Sequence, residues 1–83
     1  MLLDVIRVEP KPAYRLLLEF ENHEQRVFDL TPYLEIGVFR QLKESRLFRA
    51  AHISGGTVAW PGEIDIAPET LYVESLPVQA EER

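Results

Sequence analysis

The chain has no cysteine. That absence removes disulfides, thiolate metal ligands and a cysteine nucleophile together, and with them the small disulfide-stapled secreted module. Positive charge is also scarce: nine Lys and Arg stand against fourteen Asp and Glu, for a formal net charge of −5. A duplex nucleic-acid binder needs a basic surface to attract phosphates, so nucleic acid is not expected as a partner of this chain on its own. No apolar run nears the roughly eighteen residues that read as a membrane span. The opening stretch, "MLLDVIRVEP", meets Asp4 and Arg7 before a signal-peptide core can form. The expectation is a cytoplasmic protein with no membrane segment and no cofactor.

What is present is the composition of one folded domain: 83 residues, 46% hydrophobic and 28% charged. That domain is expected over residues 1–76, with 77–83 as a loose C-terminal tail. Charge is unevenly spread. Residues 1–35 carry seven acids and four bases, residues 36–62 one acid and four bases, and residues 63–83 six acids and one base.

Hydrophobic periodicity supplies the elements. "VIRVEP" (5–10) reads as a strand that stops at Pro10, and with Pro12 it leads into a stiff connection over 10–13. "YRLLLEF" (14–20) alternates Tyr14, Leu16, Leu18 and Phe20 against Arg15, Leu17 and Glu19. "QRVFDL" (25–30) resumes the alternation after the polar break "ENHE", which makes a hairpin. A two-residue Asn22-His23 turn would set Phe28 opposite Leu17. A three-residue loop over 22–24 would set it opposite Leu18, and is favoured because it gathers the aromatics on one face.

After Leu30 the period changes. Thr31 reads as a helix cap, Pro32 as the first helical residue and Gly37 as a stop. "VFRQLKES" then offers Val38, Phe39 and Leu42 on one helical face, and Leu47 with Phe48 makes a second apolar anchor. Gly55-Gly56 is a two-residue hairpin turn joining "AAHIS" to "TVAW", in which Val58 and Trp60 share a face. "EIDI" is a short strand and "APETLYVES" a helical turn. The fold expected is α+β: a small antiparallel sheet of about five strands with one short helix packed on one face.

"FDLTP" (28–32) and "IDIAP" (64–68) repeat one grammar, in which a strand gives way to a turn that begins with proline. Asp29 and Asp65 are placed to accept hydrogen bonds from amides of those turns, a structural task that needs no substrate. Trp60 is read first as a core residue whose indole N–H reaches one acceptor, and second as the lip of a groove where a partner protein would dock.

The order "L-x-F-x-N-H-x-x-R-V-F-D-L" (18–30), "VFRQL" (38–42), "LF" (47–48) and "W-P-G-E-I-D-I-A-P-E-T-L-Y" (60–72) resembles a bacterial family catalogued as domain of unknown function 2442. The similarity covers about Val5 to Tyr72, and its most specific part is the segment from Trp60 to Tyr72. Where family members usually carry an Asp-Gly type turn, this chain has Asn22-His23. The resemblance implies a small α+β fold and a stand-alone bacterial cytoplasmic protein. Some relatives add a C-terminal helix-turn-helix, which is not expected here because only eleven residues follow Tyr72. Some are encoded beside another small uncharacterised protein, in the manner of toxin–antitoxin pairs. The resemblance brings no settled activity to any residue.

Candidate chemistry is sparse. Glu63 and Asp65 on one strand would project the same way about 7 Å apart, a spacing open to acid–base work or a hard cation. A calcium site wants six or more oxygens, however, and no further ligand lies near, so a solvated acidic edge is the plainer reading and no metal is expected. His23 and His52 lack zinc-ligand spacing. Arg40, Lys43, Arg46 and Arg49 recur every three residues as a basic stripe, broken if Ser45 restarts the helix.

The leading expectation is a protein-interaction module, antitoxin-like in its most concrete form. A small partner protein would dock in a groove near Trp60 or along the sheet edge, with Trp60, Glu63, Asp65 and Tyr72 as candidate contacts, and in the antitoxin-like version acidic residues 63–82 would cover a basic toxin. The alternative is a ligand- or nucleic-acid-binding regulator using 40–49, with Arg46 and Arg49 as its contacts. A small enzyme using Glu63 and Asp65 is the third reading. Open sheet edges would also allow a homodimer.

Overall fold

The computed structural model describes residues 3–78. Strands β1 (Val5–Lys11), β2 (Arg15–Phe20) and β3 (Gln25–Asp29) form an antiparallel meander. In β1 the pairing slips between Val5 and Arg7, so that Val5 opposes Phe20 while Arg7 opposes Glu19. The extra residue, Ile6, is a bulge that shifts the alternation by one. Val5 and Val8 therefore both turn toward the core, and Ile6 is left exposed.

The β2–β3 hairpin has a three-residue loop, one position earlier than the favoured register. Phe20 opposes Glu24 through a 3.0 Å bond from the Phe20 amide, the His23 amide donates to the Phe20 carbonyl, and His23 sits at φ 69°. Phe28 is thus opposite Leu16 rather than Leu18 or Leu17. A shift of two in register preserves the face, so Phe28 still joins Leu16, Leu18 and Phe20 inside.

Asp29 ends β3 as expected: its carboxylate accepts from the Thr31 amide at 3.0 Å and the Thr31 hydroxyl at 2.8 Å. Thr31 is consequently not the cap but the first residue of a 3-10 turn, Thr31–Tyr33. A second 3-10 segment, Gly37–Lys43, replaces the expected α-helix, and Gly37 opens it rather than stopping what precedes. With three residues per turn, Phe39 and Leu42 fall on one edge and pack inward, while Val38 points away and is 52% exposed.

Glu44 breaks the path and caps α1 (Ser45–Phe48), its carboxylate accepting from the amides of Arg46 and Leu47. Three strands follow: β4 (His52–Ser54), β5 (Thr57–Trp60) and β6 (Ile64–Ile66). The Gly55-Gly56 turn joins the first pair as expected, with Ser54 opposite Thr57. Helix α2 (Pro68–Glu74) starts at proline, and β7 (Leu76–Pro77) pairs with Arg26 and Val27 of β3. Pairing thus reaches Pro77. Residues 79–83 of the expected tail lie outside the described residues.

The fold is α+β and antiparallel, but among the described residues seven strands form two sheets instead of about five forming one. Their orders are β1-β2-β3-β7 and β4-β5-β6. Two short α-helices and two 3-10 segments accompany them in place of one helix. The sheets meet at their edges, where the Val5 amide donates to the Gly56 carbonyl at 2.9 Å. Gly56 is needed there twice over, because it stands at φ 81° and a Cβ would lie 2.7 Å from the Asp4 carboxylate. One core joins the two sheets: Leu16, Leu18, Phe20 and Phe28 from the first, Val58, Trp60, Ile64 and Ile66 from the second.

Candidate functional site

The residues singled out in the sequence do not converge. Trp60 is 2% exposed, and its indole N–H donates to the Phe48 carbonyl at 2.9 Å. It is an interior residue. Glu63 is not on a strand but in the three-residue loop Pro61–Glu63, at φ 63°. Asp65 is on β6, exposed, on the face opposite Ile64 and Ile66. The strand spacing that would align the two carboxylates is therefore absent. Nor does Asp65 repeat the role of Asp29: its side chain makes no hydrogen bond among the described residues, and Ala67 stands where Thr31 supplies a hydroxyl in the twin.

Tyr72 is held by neighbours. Its hydroxyl donates to Glu24 at 2.8 Å, its ring meets Phe20 edge-on at 5.1 Å, and the Arg26 guanidinium lies 4.4 Å from the ring centre. Arg26 in turn donates to the Glu24 carboxylate, the Ser75 hydroxyl and the Ser75 carbonyl, each at 2.7 Å. These contacts tie the β2–β3 hairpin to α2. The Tyr72 hydroxyl and the Arg26 guanidinium hold the Glu24 carboxyl below the usual value, and the same bond to Glu24 raises the Tyr72 phenol. Tyr72 is a structural tie.

The basic stripe is split. Arg40 and Lys43 belong to the second 3-10 segment and Arg46 to α1, with the Glu44 carboxylate between them. Lys43 is already paired with Glu35 at 2.7 Å. Arg46 and Arg49 are both exposed. Among the described residues no group of three or more His, Asp or Glu is placed to hold a metal ion, and no helix is long and apolar enough to cross a membrane.

A cleft lies elsewhere, between the β1–β2 loop and α1. It measures about 350 Å³ and is lined by Pro10, Lys11, Pro12, Ala13 and Tyr14 on one side and by Ser45, Phe48 and Arg49 on the other. That size falls at the lower end of the ~300–1,000 Å³ common for ligand pockets. Its floor is an aromatic pair, Tyr14 against Phe48, with centroids 5.1 Å apart and planes at 66°. The Tyr14 hydroxyl donates to the Lys43 carbonyl, and the Tyr14 carbonyl accepts from the Leu30 amide at 3.0 Å, so this wall is fixed from two sides.

The rim carries unusual backbone. Ala13 and Tyr14 stand consecutively at φ 65° and 59°, a region that non-glycine residues seldom occupy. The loop Pro61–Glu63 has the same plan, with proline first and then φ 93° and 63°, but uses Gly62 where the cleft uses Ala13. Of the residues expected to bind, only Arg49 lies at this cleft. Its walls come from segments about thirty residues apart. The signals available in the sequence were the stiff Pro10–Ala13 connection and the Leu47–Phe48 anchor, and nothing in their spacing brings them together.

Fold and cleft define a small two-sheet α+β domain with a preformed recess on a rigid frame. The model of the family described as protein of unknown function (DUF2442) matches residues 5–77, and the chain belongs to that family. No curated protein and no solved structure matches it.

Proposed function

We propose that this protein is a binding module that captures a partner protein at the cleft between the β1–β2 loop and α1. The supporting observation is the cleft itself, an aromatic pair with cations beside it and one wall, at Tyr14, fixed by hydrogen bonds to Leu30 and Lys43. A preformed recess of this kind orders little on binding, which lowers the entropic cost of association. The test is co-expression with the adjacent gene product, followed by size exclusion. A single co-eluting species that Pro12→Glu dissociates supports the reading. Two species eluting separately at micromolar concentration overturn it.

A second reading keeps the antitoxin-like role but uses the acidic side of the molecule. Glu63, Asp65 and Glu69 are exposed and make no ion pair among the described residues, which suits a basic partner surface. Glu63→Lys with Asp65→Lys would then dissolve the same complex while Pro12→Glu would not, so one assay separates the two surfaces. The regulator that would use 40–49 has less support, because Glu44 interrupts the bases.

A further inference from the structure

The charged side chains that line the cleft are of one sign. Lys11, Ser45 and Arg49 line it and no carboxylate does. Arg49 makes no side-chain hydrogen bond or ion pair among the described residues. Lys11 is 3.1 Å from Glu9, in a pair exposed on both sides, and such pairs exchange for another carboxylate at little cost. The Tyr14 hydroxyl is already committed to the Lys43 carbonyl, so the two cations and the Ser45 hydroxyl are left to meet a ligand. Below them lie Tyr14, Phe48 and the two prolines, an apolar bed.

Resting on the reading of the cleft as the partner site, the geometry points to an acidic segment of the partner protein as its occupant. An Asp or Glu carboxylate sits between Arg49 and Lys11, and a neighbouring aromatic or leucine side chain lies against Phe48, Tyr14 and Pro12. Guanidinium groups bind carboxylates through paired, charge-assisted hydrogen bonds that a neutral side chain does not replace. An apolar centre with a charged rim is also the usual anatomy of an interface hot spot. Whole-molecule charge sharpens the choice. The chain's net charge of −5 repels an acidic segment, but the charged side chains that line the cleft, Lys11 and Arg49, are both cations and attract it there.

The test uses the full chain and short fluorescein-labelled peptides carrying a central Glu-Phe-Glu, Lys-Phe-Lys or Glu-Ala-Glu, read by anisotropy at low salt and by amide shift mapping. The expected result is that Glu-Phe-Glu binds about tenfold more tightly than either other peptide, that salt weakens it, and that Arg49→Glu removes the preference. Shifts should centre on residues 10–14 and 45–49. Arg49 is exposed, so the variant should fold, which unchanged Trp60 fluorescence would establish. Equal binding of the Lys-Phe-Lys peptide, shifts centred elsewhere, or tighter binding of oligouridine than of Glu-Phe-Glu would each overturn the inference. So would tighter binding of free 3-phenylpropionate, which would make the cleft a small-molecule site. If Pro12→Glu dissolves the partner complex while Glu-Phe-Glu is ignored, the partner site stands and this inference falls. If Glu-Phe-Glu binds here and the complex is indifferent to Pro12→Glu, the carboxylate preference stands and the partner reading falls.

Discussion

Ala13 is the residue whose identity its backbone would not choose. The loop Pro61–Glu63 follows the same path and puts glycine at the matching position, where φ is 93°. Holding a non-glycine residue at positive φ costs about 1–2 kcal/mol, while glycine adds about 0.5–1 kcal/mol of unfolded-state entropy. Ala13→Gly should therefore raise stability by about 0.5 kcal/mol, a net of those two effects, measured as a higher urea midpoint. Gly62→Ala should lower it by about 1 kcal/mol even though a Cβ there meets nothing within 4 Å, because the cost is in the backbone. If the two variants move the midpoint the same way, the shared loop geometry is not what sets their energies. Strain kept at the rim of a recess when a simple substitution relieves it is the pattern expected of a site that needs a fixed wall.

Elements are held together by polar contacts whose charge state sets the pH range of the fold. Glu24, in the β2–β3 loop, accepts from Tyr72 of α2 and from Arg26, and its carboxyl is lowered from the ordinary 4.5. A lowered folded value means that its contribution is complete above pH 4.5 and lost as the pH falls through the folded value. Tyr33 and Tyr72 show the opposite sign. Their bonds to Glu74 and Glu24 raise both phenols from 10.0, so their contribution is complete below pH 10.0 and lost as the pH rises through the folded values. Glu24→Gln should flatten the acid side of a plot of melting temperature against pH and lower its plateau. An unchanged acid limb would show that the Glu24 link does not govern it. None of this clamp was legible in the sequence, because its members lie 48 or 49 residues apart. The Gly55-Gly56 turn was legible, since both residues suit the positive φ such a turn demands. Ala13, His23 and Glu63 adopt the same region without being glycine, so their loops were misplaced or passed over. Strand β7 was hidden for a related reason: two residues, one of them proline, carry no periodic signal, and only pairing with β3 makes them a strand.

At the scale of the whole molecule, two sheets raise the question of whether they are two units. The packing says one. Trp60 on β5 donates to Phe48 of α1, Phe48 packs on Tyr14 at the start of β2, and Val5 of β1 bonds to Gly56 between β4 and β5. The Cα radius of gyration is 11.8 Å, and a single compact domain of this length is expected at about 12 Å. Neither sheet buries its inner face without the other, so the chain should unfold in one step despite its divided hydrogen bonding. Phe28→Leu tests this from the first sheet while Trp60 reports from the second. Trimming that ring, which is fully buried and stacks with Tyr33 at 5.9 Å, should cost about 1–2 kcal/mol. Far-UV circular dichroism and Trp60 fluorescence should then shift to lower urea together, with one midpoint. A fluorescence transition left at its wild-type position while the dichroism moved would divide the molecule into two cores, and the cleft, whose walls hang on β1–β2 and on α1, would lose the rigid frame that its binding role requires.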